Sequence, residues 1–159
     1  ALVDAVTAAM RPSRADVVIG VPPLGLPRAE AVARRLAHRR MVPLGTSRKF
    51  WYDEDLSQPL RSITTPDHHK RIYLDPRMLP LLRQGRIAVV DDVISTGASM
   101  VSVLRLLATA GIAPVVIGTA MLQGRSWQQA LGAVTSCAVV AALATPVLLH
   151  GSDGRFRPQ

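Results

Sequence analysis

The sequence predicts an α/β fold, a doubly wound and mostly parallel sheet, and three observations carry that expectation. Short apolar runs at 17–21, 87–90 and 115–121 alternate with segments of helical spacing at 1–10, 28–38 and 101–110. Turn-forming residues separate them, at Arg11-Pro12-Ser13, at Pro22-Pro23 and at Gly111 with Pro114. The 159 residues, 48% of them hydrophobic, suffice for one globular domain with a buried core. The expected layout is a single domain over 1–159, with a core over about 1–143 and a small C-terminal hood over about 144–159.

In chain order, Leu2, Val3, Val6 and Met10 share a helical face, and Pro12 ends that helix. Residues 17–21 form the first strand, 22–27 a Pro-rich loop in which Pro22 or Pro23 is placed to carry a cis bond, and 28–38 the next helix. Residues 41–44 are a short strand. The stretch 45–70 is long, polar and without sustained periodicity, the mark of a functional or disordered loop. Residues 72–74 read as a short strand, 78–82 as a helical turn, 87–90 as a buried strand and 101–110 as a helix. A strand at 115–121, a helix at 127–131 and a strand at 137–143 complete the alternation.

Composition narrows the class of function. The net charge of +8, from 19 basic and 11 acidic residues, suits either nucleic acid or an anionic small molecule. Arg34, Arg35, Arg39 and Arg40 cluster at one helix end, where cations complement the dipole and form a solvated face, which weighs against nucleic acid. No uninterrupted apolar stretch reaches the roughly 18 residues of a membrane span; the longest, 137–149, is broken by Thr145-Pro146. The N-terminus shows no secretory signal pattern. Cys137 is the sole cysteine, so no internal disulfide forms, and a cytoplasmic location is expected. Adjacent His68 and His69 lack the nearby Cys or spaced carboxylates of a metal centre.

The most informative segment is VVDDVISTGASMV at 89–101. An apolar strand ends in Asp91 and Asp92 and passes into the small, hydroxyl-rich turn Ser95, Thr96, Gly97, Ala98 and Ser99. Successive backbone N–H groups opening onto a helix N-terminus form a donor array suited to phosphate. Paired carboxylates at the strand end can accept hydrogen bonds from vicinal ribose hydroxyls or hold Mg²⁺ through water.

This run resembles the phosphoribosyl-diphosphate (PRPP) motif of the type I phosphoribosyltransferases, closest to the adenine and purine types. The resemblance implies that Asp91 and Asp92 hold the ribose hydroxyls, that Ser95 to Ser99 cradle the 5-phosphate, and that Mg²⁺ is the cofactor, held indirectly by the acids. It also implies that the loop after the first strand presents Leu24 and Gly25 to the diphosphate, although many relatives carry a basic or hydroxyl side chain there. Arg48 and Lys49 resemble the Arg-Lys pair that contacts diphosphate in adenine-type enzymes; a planar fork and a point charge both suit that group. Residues 57–71 have the position and composition of the family's catalytic loop, with Arg61, Ser62, Thr64, Thr65, His68, His69, Lys70 and Arg71. Lys70 and Arg71 join the acid pair as candidate catalytic residues. Met121-Leu122-Gln123-Gly124-Arg125 resembles the Leu-x-Gly-Arg of adenine-type enzymes, and Val93, Leu122 and Trp127 are candidates for the base, although a tryptophan so placed in a helix is more often a core residue.

The activity so implied is transfer of 5-phosphoribosyl from PRPP to a nitrogenous base, purine-like, with pyrophosphate released and the protein a homodimer. The chain begins at Ala1 without Met, from which we expect N-terminal hood residues to be missing. A PRPP-sensing regulator that binds nucleic acid is the other reading of the same pocket.

Overall fold

The computed structural model describes residues 1–60, 70–150 and 153–158. The first helix, α1 (Leu2–Met10), leads into strand β1 (Val17–Gly20), helix α2 (Gly25–Arg35) and strand β2 (Val42–Pro43). A two-stranded hairpin follows, β3 (Ser57–Pro59) and β4 (Arg71–Tyr73), then α3 (Leu79–Gln84), β5 (Ile87–Ile94), α4 (Ala98–Thr109) and β6 (Pro114–Gln123). The chain ends in α5 (Ser126–Gly132), β7 (Ala138–Thr145), and a second hairpin of β8 (Leu148–His150) and β9 (Phe156–Pro158).

The main sheet has the order β2-β1-β5-β6-β7 and every pairing in it is parallel. Parallel strands are covered on both faces, which explains why β1 and β5 are near-continuous apolar runs. Alternate side chains go to opposite layers. Val18, Ala88, Val90 and Val116 pack with Val6 and Met10 of α1 and Ala29 and Val32 of α2. Ile19, Ile87, Val89 and Ile117 pack with Met100, Val103, Leu106 and Leu107 of α4. The two antiparallel pairings, β3 with β4 and β8 with β9, lie outside this sheet.

Several expected boundaries move. Helix α2 starts at Gly25 rather than 28, because Pro27 falls in the first turn, where a missing N–H costs no helical bond. It stops at Arg35, short of 38: Ala37 turns left-handed at φ 63° and the His38 N–H closes back on the Ala33 carbonyl. Strand β5 runs to Ile94, past both acids, since Asp91, Val93 and Ile94 find partners in Thr119, Met121 and Leu122. Helix α4 correspondingly begins at Ala98. The stretch 45–60 is not featureless, as a helical turn at Glu54–Leu56 and strand β3 organise its end. Residues 61–69, which include Arg61, Ser62, Thr64, Thr65, His68 and His69, lie outside the described residues. Among the described residues no helix is long and apolar enough to cross a membrane.

Candidate active site

Ligands of open parallel sheets collect at the carboxyl ends of the strands. Here those ends open onto a cleft of about 590 Å³. Its walls are residues 21–24 after β1, Thr46 after β2, Leu60 and Lys70 at the neck of the first hairpin, residues 91–100 from β5 into α4, and Gln123 at the end of β6.

Asp91 and Asp92 stand at the centre of this lining. Asp91 is only 7% exposed, and its Oδ1 accepts the Asp92 backbone N–H at 2.8 Å. Helix α2 presses on it from one side: a Cβ on Gly25 would lie 3.0 Å from the Asp91 Cα, its Oδ1 and the Val90 carbonyl. Behind it, Leu2, Val3, Val6, Arg28 and Val32 enclose a second cavity of about 10 Å³, the space of roughly one water. Burial, reinforced by the neighbouring Asp92, pushes the Asp91 carboxyl up to about 8. The ligand-free cleft thus has at its base an acid that holds its proton more tightly than an ordinary carboxyl.

That shift has a signed consequence for stability. Between about pH 4 and pH 8 the native Asp91 holds a proton that the unfolded chain has released, so this carboxyl's contribution to stability falls as pH rises through that window and levels off above it. Asp91→Asn keeps the acceptor for the Asp92 N–H and removes the titration. The variant is expected to match wild type near pH 4 and to exceed it at pH 8.5 by about 1–3 kcal/mol in urea unfolding of the ligand-free protein. A variant whose advantage over wild type does not grow between those pH values would overturn this reading of the carboxyl.

The turn after β5 is shaped for an anion. Gly97 caps α4 at φ 83°, a conformation that side chains resist, and the Thr96 hydroxyl accepts the Ala98 N–H at 3.3 Å. Ser95, Thr96, Gly97, Ala98 and Ser99 all line the cleft. The backbone across from it, between Pro22 and Pro23, is cis, as the Pro-Pro pair suggested. Pro22, Pro23 and Leu24 face the cleft, and Leu24 opens α2 without a side-chain cap.

The hairpin neck places the loop's cations differently. The Leu60 N–H donates to the Lys70 carbonyl at 2.8 Å, and both residues line the cleft. Lys70 is the one cationic side chain among the described residues of that lining. Arg71, the next residue, turns the other way, as strand alternation requires. Its Nε and Nη2 donate to the Ser57 hydroxyl at 3.1 and 2.7 Å, and that hydroxyl donates to the Glu54 carbonyl at 2.7 Å.

The phosphoribosyl transferase domain family matches residues 6–140. The chain belongs to that family. As a phosphoribosyl transferase it is an enzyme of the pentosyltransferase type, and the family supports phosphoribosyl transfer from PRPP. No curated protein matches the sequence. Among solved structures the fold is similar to that of the Giardia lamblia APRTase complexed with 9-deazaadenine, at TM-score 0.71 and 18% identity over 89% of this chain and 78% of that one. The adenine phosphoribosyltransferase of Rhodothermus marinus gives 0.67 and 20% over 89% and 76%. The orotate phosphoribosyltransferase of Aeropyrum pernix gives 0.59 and 20% over 89% and 68%. Identities this low speak for the fold alone.

For this phosphoribosyl transferase, the residues singled out from sequence divide into those the cleft gathers and those it does not. Asp91, Asp92, Val93, Leu24, Lys70 and the phosphate turn are gathered. Gly25 is buried beneath, against Asp91. Arg48 pairs with Glu54 at 2.9 Å, and neither it nor Lys49 is in the lining, where Thr46 of the same loop stands. Leu122 and Trp127 pack against the larger core cluster, and the Trp127 indole N–H donates to the Gly124 carbonyl at 3.2 Å. Gln123, one residue beyond Leu122, is what reaches the cleft from β6. Sequence reading also passed over Thr119, wholly buried opposite Asp91, whose hydroxyl donates to the Asp92 carbonyl at 2.9 Å. A lone hydroxyl within an apolar strand, VVIGTAM, is the signal that pointed to it.

Proposed function

We propose that this chain transfers the 5-phosphoribosyl group of PRPP to a nitrogenous base, purine-like, and releases pyrophosphate. The observation that supports this most directly is the acid pair, the hydroxyl-rich turn and Lys70 sharing one cleft. In this reading the residue 95–99 backbone and hydroxyls hold the 5-phosphate, and Asp91 with Asp92 accept the ribose hydroxyls. Residues 22–24 present the α2 N-terminus toward the diphosphate. Lys70 supplies positive charge to the diphosphate, which takes the electron pair of the C1–O bond as that bond lengthens. Catalysis then rests on positioning and on charge stabilisation in a site closed to water, with little covalent chemistry by the protein.

No group of three or more His, Cys, Asp or Glu side chains that could hold a metal forms among the described residues. Two carboxylates at the cleft are nevertheless what Mg²⁺ uses when substrate phosphates and water complete its shell, so the donor set fits. When bound, Mg²⁺ would neutralise charge on the diphosphate. The adenine-type resemblance supports the purine preference, and the same resemblance supports a homodimer working in the cytoplasm.

The deciding experiment measures pyrophosphate release from PRPP with adenine, guanine, hypoxanthine, xanthine, uracil and orotate. Release with at least one purine, and little with uracil or orotate, is expected. Binding of PRPP without turnover on any base would replace transfer by sensing, and failure to bind PRPP would remove both readings.

A further inference from the structure

We infer that Thr119 is a positioning residue that aims the Asp92 carboxylate into the cleft; this rests on the transferase reading above. Asp92 sits between two peptides, and each makes a specific bond to a side chain. The peptide before it is fixed by its own N–H donating to the Asp91 Oδ1 at 2.8 Å. The peptide after it is fixed by the Thr119 hydroxyl, which donates to the Asp92 carbonyl at 2.9 Å. The Met121 carbonyl lies farther from the same hydroxyl, at 3.3 Å, and a hydroxyl has one proton, so the nearer oxygen takes it.

Thr119 is itself 0% exposed and is not part of the cleft lining, which it meets only from behind, through Asp92. Water cannot replace its hydroxyl at that depth, and a carbonyl deprived of it must turn to find another donor. Turning that carbonyl rotates the backbone of Asp92 and swings its side chain. Asp91 stays in place, because the start of helix α2 packs against it from the other side. The effect of losing the hydroxyl is thus directed at the ribose end of the cleft, while residues 22–24 and Lys70, on other elements, keep their arrangement.

The test compares Thr119→Val, Thr119→Ala and Thr119→Ser with wild type, using calorimetric binding of ribose 5-phosphate and, separately, of pyrophosphate with excess Mg²⁺. Val is expected to weaken ribose 5-phosphate by roughly tenfold, the ordinary value of one hydrogen bond, and to leave pyrophosphate within about twofold. Ser and Ala both lack the γ-methyl of Thr, and of the two only Ser keeps the hydroxyl. Ser should therefore bind ribose 5-phosphate roughly tenfold more tightly than Ala even if Val does not fold. Equal affinity of Ser and Ala, or parallel loss of both ligands in every variant, would overturn the positioning role. If wild type itself does not bind ribose 5-phosphate, it is the transferase reading that fails.

Discussion

Replacing Asp91 and Asp92 together by Asn is expected to abolish detectable PRPP binding, with affinity down roughly 10²- to 10⁴-fold. Each acidic acceptor bonded to a ribose hydroxyl contributes about 1–3 kcal/mol, and two are removed. The change is nearly isosteric, and the amide oxygen introduced at position 91 still accepts the backbone N–H of the next residue, so the fold should survive and circular dichroism should be unchanged. Calorimetric titration with PRPP is the measurement. Wild-type affinity in the double variant would sink the assignment of the ribose site, and with it both transfer and sensing.

Gly25→Ala is the second large effect expected, and it follows from crowding. The added methyl would meet two backbone atoms and the Asp91 Oδ1, all at 3.0 Å, so what must give is strand backbone or the acid itself. The start of α2 must back away from β5, or Asp91 must shift toward the cleft. Overpacking of this kind destabilises by about 1–3 kcal/mol, and displacement of a positioned acid by about 1 Å lowers kcat/KM on the order of 10²-fold. Gly132→Ala in α5, where nothing lies within 4 Å of the added carbon, is the control and should be close to neutral. Unaltered turnover in Gly25→Ala would show that Asp91 tolerates the retreat of α2.

What sequence could reveal of this site depended on whether the parts are neighbours along the chain. Asp91 and Asp92 and the turn to Ser99 are contiguous, and their residue types announce a sugar phosphate without any tertiary information. The parallel sheet was equally visible, because helices on both faces make β1 and the first half of β5 apolar throughout. Gly25 and Thr119 were not visible as neighbours that hold the acid pair in place. Each matters in that way only because a distant strand or helix is packed against the acids, and a glycine after a Pro-rich loop or a threonine in a strand has many ordinary explanations. Strand β3, Ser57-Gln58-Pro59, carries no alternating apolar pattern and forms only because β4 pairs with it. The two cations Arg48 and Lys49 were legible as a pair, but which side chain of that loop enters the cleft is decided by the Glu54 contact and by loop geometry, and Thr46 does so.

The small cavity behind Asp91 makes the first helix part of this acid's solvent. Leu2, Val3 and Val6 stand between the rear of the carboxyl and bulk water. Its acidity is consequently a packing property, set by how closely α1 lies on β6, β7 and α2. Whatever loosens that helix admits water, strengthens the acid and changes the protonation of the cleft without altering any residue that a ligand would touch.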